Sequence, residues 1–207
     1  MTIGELTVEN VSRETLDRLQ SFHDLLLRWT ASINLVAPST VSQAWNRHIV
    51  DSAQVFYLMH HDAQRHIDLG SGGGLPGIVI SIIAMEKMPL LHTTLIESDQ
   101  RKATFLRTVV RELGLNASVR CARIEDVTDA FADVVTARAL APLDHLLGLV
   151  KPLLKADGLA LLPKGRQVDS EIKAARRSWD FELVSHQSRT DRDSRILQIR
   201  DIQRASS

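Results

Sequence analysis

The chain has 207 residues, enough for one α/β domain with a small accessory element and too few for two large domains. Lys and Arg number 25 and Asp and Glu 25, so the formal net charge is zero and the chain as a whole lacks the basic signature of a nucleic-acid binder. A single cysteine, Cys121, excludes an intrachain disulfide and zinc-finger spacing, and the longest apolar stretch, Ile78 to Met85, is too short to span a bilayer.

Charge is unevenly spread. Residues 1–65 carry 5 basic against 7 acidic groups, whereas residues 164–207 carry 10 against 7. A mildly basic C-terminal face suits an anionic partner, and equally suits plain solvation. Met1 to Asn10 holds two acids and no apolar run, so no secretory leader is expected and a cytoplasmic location is the default. No metal site and no membrane association are expected.

The first sixty residues read as helices. Ser12 can cap a helix bearing Leu16, Leu19, Phe22, Leu25, Leu26, Trp29 and Ile33, whose spacings of three and four put them on one face. Pro38-Ser39-Thr40 breaks the chain. A second helix runs to about Met59, with Val41, Ala44, Trp45, Ile49, Ser52, Ala53 and Phe56 inward. From His66 the pattern becomes strand, loop, helix, repeated. Strands are predicted at Ile67–Leu69, Leu91–Glu97, Ser118–Ala122, Asp133–Ala137, Leu159–Pro163, Phe181–His186 and Ile196–Ile202. Helices are predicted at Ile78–Glu86, from an Asp99 cap to Leu113 with Gly114 as stop, at Leu143–Lys155, and near Val168–Trp179. Such alternation argues for an open, doubly wound, mostly parallel sheet of seven strands, with ligands bound outside the strand C-termini. Residues 1–62 would form an N-terminal helical cap and residues 63–207 the sheet domain. Cys121, in a strand-like segment, is expected as a small core residue.

Between the first strand and its helix lies Asp68-Leu69-Gly70-Ser71-Gly72-Gly73-Gly74-Leu75-Pro76-Gly77. Glycines there let the backbone approach a ligand at a helix start. Gly72-x-Gly74-x-x-Gly77 satisfies the dinucleotide pattern, and Glu97 lies twenty residues beyond Gly77, so the glycines fit both NAD and S-adenosylmethionine. Asp68 tips the reading toward the second: a carboxylate so near the loop would oppose a pyrophosphate and favour the ammonium and sulfonium of S-adenosylmethionine. Pro76 suits the helix's first turn. Glu97 can accept hydrogen bonds from both ribose hydroxyls of either cofactor.

These residues closely resemble the loop of the bacterial 16S rRNA guanine-N7 methyltransferase G family, also called the glucose-inhibited division protein B family. The Leu75-Pro76-Gly77 ending is more specific than the glycines. Asn34-Leu35, Arg47-His48-Ile49-Val50-Asp51-Ser52, Arg101-Lys102-Ala103-Thr104-Phe105-Leu106, Ala137-Arg138-Ala139 and Lys164-Gly165 agree in order and spacing, from about Trp29 to Ile202. Two positions depart: Thr30 follows Trp29 where the family has Asn, and Val36 follows Asn34-Leu35 where it has Thr. The resemblance implies a Rossmann-like class I S-adenosylmethionine-dependent methyltransferase fold. It implies methyl transfer to N7 of one guanine (527 in bacterial rRNA numbering) in the 530 loop of 16S rRNA, within the small ribosomal subunit or its precursor, by an enzyme expected to be a monomer. Gly70, Leu75, Ile124, Glu125 and Arg138 match positions lining the donor site, to which the loop reading adds Asp68, Gly72 and Glu97.

Arg138 follows the fourth strand, where the methyl group leaves, and can bind substrate or donor carboxylate. His48 and Asp51 lie one helical turn apart and share a face. They read as positioning groups, because guanine N7 bears no proton and needs no general base. Asn34, Arg47 and Lys164 are candidate RNA contacts. Trp29, Trp45 and Trp179 could stack bases, but the first two fall on apolar helix faces and are expected in the core. Two alternatives remain open: a methyltransferase of another substrate, and a non-catalytic RNA-binding module retaining the fold.

Overall fold

The structure, a computed structural model, describes residues 10–205; most of the segment read as lacking a leader lies outside them. Seven strands form one sheet: β1 (Arg65–Leu69), β2 (His92–Glu97), β3 (Ala117–Cys121), β4 (Ala132–Ala137), β5 (Leu154–Lys164), β6 (Trp179–Gln187) and β7 (Arg195–Arg204). Their order is β3-β2-β1-β4-β5-β7-β6. The first five pair in parallel and β7 is antiparallel to both neighbours, as the alternation predicts. The chain builds outward from β1 to β3, then returns to the other side through β4. The crevice of such a sheet opens at that reversal, beyond the C-terminal ends of β1 and β4.

Helix α1 (Arg13–Thr30) starts as expected: the Ser12 side chain accepts from the Thr15 N–H. Its buried positions are Thr15, Leu19, Phe22, Leu25 and Leu26. Leu16 is 41% exposed, off the stripe, and the helix stops at Thr30 rather than reaching Ile33. The predicted second helix is three different pieces: a 3₁₀ turn (Pro38–Gln43), a π turn (Trp45–Val50) and the short helix α2 (Asp51–Phe56). Val41, predicted inward, sits exposed on the first piece.

Helix α3 (Gly77–Lys87) is buried at every position from Gly77 to Ala84. One side meets the sheet; the other meets α1, the π turn and α2, whose Phe22, Leu26, Ile49 and Val55 join Ile78 and Ile82 in one apolar cluster. A helix apolar all round must be covered on all sides. A second cluster fills the opposite sheet face beneath α5 (Leu143–Val150) and α6 (Val168–Ala175). Helix α4 (Gln100–Glu112) is capped by the Asp99 side chain and ended by Gly114 at φ +62°, both as read from sequence.

Two boundaries differ. Helix α5 ends at Val150, not Lys155, because Pro152 has no N–H to continue the ladder; a short 3₁₀ turn leads directly into β5. Helix α6 ends at Ala175, and Trp179 starts β6 with its indole N–H donating to the Asp144 carbonyl. Cys121 is exposed on the edge strand β3, not in the core.

Candidate active site

The glycine loop leaves β1 at the reversal point. Gly70, Gly72 and Gly74 have φ of +60°, +51° and +80°, a region L-residues avoid. A Cβ on Gly70 would come within 2.7 Å of Leu140, so the loop after β1 and the turn after β4 meet there with no room to spare. Gly77 serves another purpose: its Cβ would lie 2.4 Å from Leu95 and 2.6 Å from Asp68 Oδ2. That glycine lets α3 press against the sheet. Pro76 precedes the helix as its N-cap residue rather than occupying the first turn, and the Leu75–Pro76 peptide bond is cis.

Glu97, at the tip of β2, fixes the loop. One carboxylate oxygen accepts from the Gly72 N–H and the other from the Asp99 N–H, both at 2.8 Å. Each oxygen has two lone-pair directions, so capacity remains for a ligand's hydroxyls. A cleft of about 350 Å³ opens beside it, lined by Gly70, Gly72, Glu97, Ile124, Glu125 and Arg138. Six of the eight residues expected at the donor site thus come together. Ile124 is half-buried and offers an apolar wall; Glu125 is exposed.

The other two stand elsewhere. Leu75 is buried in the apolar cluster with Ile78 and Leu106 and does not line the cleft. Asp68 lies beneath the loop, 1% exposed, because alternation along β1 sends it to the α3 face with His66. The acid on the cleft wall is Glu97. Asp68 ends a buried polar chain across three strands. Thr93 Oγ lies 3.1 Å from His66 Nδ1, His66 Nε2 lies 2.8 Å from Thr136 Oγ, and Thr136 donates to Asp68 Oδ1 at 2.6 Å. Since Thr136 spends its proton on Asp68, His66 donates from Nε2 and accepts from Thr93 at Nδ1, which assigns a neutral ring. Burial lowers the His66 pKa to about 3 and raises that of Asp68 to about 6. Asp68 Oδ2 has no hydrogen-bond partner.

Arg138 follows β4 and is held by groups from the N-terminal helices. Its guanidinium lies 3.6 Å from Asp51 Oδ2 and 3.4 Å from His48 Nδ1. His48 Nε2 stands 2.9 Å from Thr40 Oγ, which already donates to the Ala37 carbonyl. His48 is therefore neutral with its proton on Nε2 and its Nδ1 lone pair toward Arg138. Burial first, and the Arg138 charge second, push its pKa down to about 4. Burial also lowers the Arg138 pKa, opposed by Asp51. The shared face expected for His48 and Asp51 is real, and a π turn presents it, a geometry frequent at functional sites. Asp51 Oδ1 accepts from Thr190, Ser188 and Gln54.

Two further clefts adjoin this point. One, of about 420 Å³, lies between the Arg138–Pro142 turn, the end of β5 and the β6–β7 loop. The other, of about 400 Å³, is walled by Arg47, His48, Asp51 and Thr190. All three clefts share Arg138 and Ala139, and Ala139 is held at φ +53°. Backbone strain of this kind clusters at ligand sites.

Of the candidate RNA contacts, Arg47 is exposed on a cleft rim, 3.4 Å from Asp191. Asn34 is exposed on a turn whose neighbour Leu35 lies against the Gly73 backbone. Lys164 is not free for a phosphate: its ammonium is buried, donating to Glu171 at 2.8 Å and to the Ala141 carbonyl at 2.6 Å. It anchors the turn that floors the clefts. Trp29 packs 5.6 Å from Phe105 and Trp45 5.6 Å from His23, both half-buried, while Trp179 is buried beneath Arg204. Sequence reasoning did not single out Lys102 and His145 in the donor cleft, or Gln54, Ser188 and Thr190 around Asp51. Ser188 and Thr190 lie more than 130 positions from Asp51, and only the tertiary fold joins them. Among the described residues no group of three or more His, Cys, Asp or Glu gathers to hold a metal, and no helix is long and apolar enough to cross a membrane.

Residues 15–197 match the family model described as rRNA small subunit methyltransferase G. A ribosomal RNA small subunit methyltransferase G of Cereibacter sphaeroides is 51% identical over 191 residues, covering 92% of each chain. One from Bartonella tribocorum is 48% identical over 197 residues, covering 94% of this chain and 92% of its own. Among solved structures, the glycopeptide N-methyltransferase MtfA complexed with S-adenosylmethionine superposes with a TM-score of 0.62 at 9% identity, over 74% of this chain and 93% of its own.

Proposed function

The chain belongs to the rRNA small subunit methyltransferase G family, and on that premise we propose that it moves a methyl group from S-adenosylmethionine to N7 of guanine 527 in the 530 loop of 16S rRNA. Its fold is the Rossmann-like class I methyltransferase fold. The substrate is the small ribosomal subunit or its precursor, met in the cytoplasm by a monomer that uses no metal. The observation that carries this reading is the junction at Arg138–Ala139, where the cleft beside the glycine loop opens onto two others of base-accommodating size.

The donor cleft suits S-adenosylmethionine. Glu97 can take the ribose hydroxyls, the Gly70–Gly72 backbone can approach closely, and Ile124 and Leu140 give apolar walls. Bound there, the cofactor would supply a methyl group already activated on sulfonium. The choice of this donor over a dinucleotide rests on the family and the fold neighbours, since Asp68 lies under the loop and Glu97 would serve either ribose.

What the chain itself does is positioning. Guanine N7 presents a lone pair and no proton, so no base is required, and neutral His48 with its lone pair toward Arg138 is not placed to be one. Holding N7 in near-attack geometry can supply roughly 7–11 kcal/mol. Arg138 can direct the base or the donor carboxylate by bidentate donation, and Asp51 offsets its charge where the purine becomes cationic. Asp51, fixed by three donors, in turn fixes Arg138.

The test is to map 7-methylguanosine in 16S rRNA from cells with and without the gene, and to restore it with variants. Wild type should restore the modification; Arg138→Ala should lower kcat/KM on purified small subunits by about 100-fold or more, and Asp51→Asn by less, with no new pH dependence near neutrality. An rRNA map unchanged by loss of the gene would refute the assignment. A rate that follows a single histidine-like pKa would refute the base-free account.

A further inference from the structure

The sequence hinted at a basic C-terminal face, and the structure shows its arginines paired with aspartates at the cleft rims. Arg166, just past β5, lies 2.8 Å from Asp193 of the β6–β7 loop. Arg195, at the start of β7, lies 2.8 Å from Asp169 in the first turn of α6. Arg47 lies 3.4 Å from Asp191. Each pair joins separate elements across one groove: the cleft at Arg47 shares Ser194 with the middle cleft, and the middle cleft shares Arg195 with a further hollow at Arg166 and Arg192. The middle cleft opens onto the donor cleft at Arg138.

These pairs are exposed: the Arg166 side chain is 84% accessible and that of Asp193 52%. Exposed pairs of this sort hold weakly and exchange readily. They also cap the positive charge of the groove. A phosphodiester backbone in the groove would take over the guanidinium groups one anion for another, while each displaced carboxylate stays nearby and repels it. Such a groove is poor for any polyanion held by charge alone, and adequate for one that gains contacts elsewhere.

We propose, resting on the methyltransferase reading above, that this groove is the track for an unpaired RNA segment, and that Asp169 and Asp193 are counter-charges that suppress binding of non-substrate RNA. The strand is unpaired because a base held in a duplex cannot enter the middle cleft to reach the donor site. Asp191 differs from these two: it also accepts from the Asp193 N–H and the Ser194 hydroxyl and so shapes its loop.

The experiment measures binding of a twenty-nucleotide polyuridylate to the full chain by fluorescence anisotropy between 50 and 200 mM salt, alongside methyl transfer to small subunits lacking the modification. Asp169→Asn with Asp193→Asn should bind polyuridylate roughly tenfold more tightly at the low-salt end, with a salt slope steeper by about 1.4, as expected for two further phosphate contacts on a single strand. Arg166→Gln with Arg195→Gln should bind more weakly, with a shallower slope. Affinity and slope unchanged in the aspartate double variant, or unchanged in the arginine double variant, would overturn the proposal even where wild type methylates rRNA. If wild type methylates no rRNA yet both variants shift binding as stated, the track stands and the methylation reading falls.

Discussion

At the residue scale the structure separates two jobs that the glycine pattern leaves merged. Gly70, Gly72 and Gly74 supply left-handed backbone for the loop, whereas Gly77 supplies space. Replacing Gly77 by Ala would place a methyl group 2.4 Å from Leu95 and 2.9 Å from the Asp68 Cβ, in a fully packed layer. The gain in helix propensity, about 1 kcal/mol, does not offset this. Overpacking of a core costs about 1–3 kcal/mol, so Gly77→Ala should lower the urea midpoint by a corresponding amount and weaken donor binding through the loop it anchors. A midpoint equal to wild type would show that α3 can slide outward without cost. Asp68 shows what the sequence leaves open here. Its type and position beside the loop were legible, but strand alternation, not nearness to the glycines, decides where its carboxylate goes. Glu97 was legible because a strand-end acid has the loop on one side and solvent on the other. Lys164 reads from sequence as a candidate RNA contact; Glu171, seven positions along the chain, pairs with its ammonium because β5 and α6 fold back on each other.

At the element scale the sheet was legible almost strand for strand, since strands buried on both faces read as short apolar runs set between turn signals and helical patterns. The N-terminal region was less so. Its apolar spacing announced helix, but a 3₁₀ turn and a π turn preserve nearly the same spacing while rotating the following face, and that rotation brings His48 and Asp51 toward Arg138. The division at residue 62 follows the change of pattern, and packing joins its two sides: most of α3 is buried all round, and α1 and α2 cover the side that the sheet does not. A chain of residues 63–207 alone would expose Ile78 and Ile82 together with much of α3, a continuous apolar surface. We expect that fragment to be insoluble, or to bind a hydrophobic dye and be cut rapidly by protease, without a cooperative unfolding transition. A soluble fragment with a sharp transition would mean that α3 finds other cover.

For the whole molecule, three buried titratable groups near the crevice bind protons differently in the folded and unfolded states, and their signs conflict. His66 and His48 have folded pKa values of about 3 and about 4, below the ordinary histidine value of 6.5. As pH falls through 6.5 the unfolded chain takes up both protons and the folded chain neither, so acid favours unfolding. Asp68 runs the other way: its folded pKa is raised to about 6 from 3.8, so between those values the folded chain is protonated and the unfolded one is not. Two groups oppose one, so these three leave a net uptake of about one proton on unfolding between about pH 6 and pH 5, below which carboxylates held down in the fold, such as Glu86 at about 2, add to it. Stability should therefore fall by about 1.4 kcal/mol per pH unit on acidification in that window. Urea midpoints at half-unit intervals read it directly. His48→Gln removes one of the two histidines, so its titration should cancel against Asp68 and flatten the dependence, while His48 makes no contact with the His66–Thr136–Asp68 chain and leaves that chain intact. A wild-type midpoint constant from pH 6 to 5, or a His48→Gln variant as acid-sensitive as wild type, would mean that these rings take up protons in the folded state and that the neutral tautomers assigned to them are wrong.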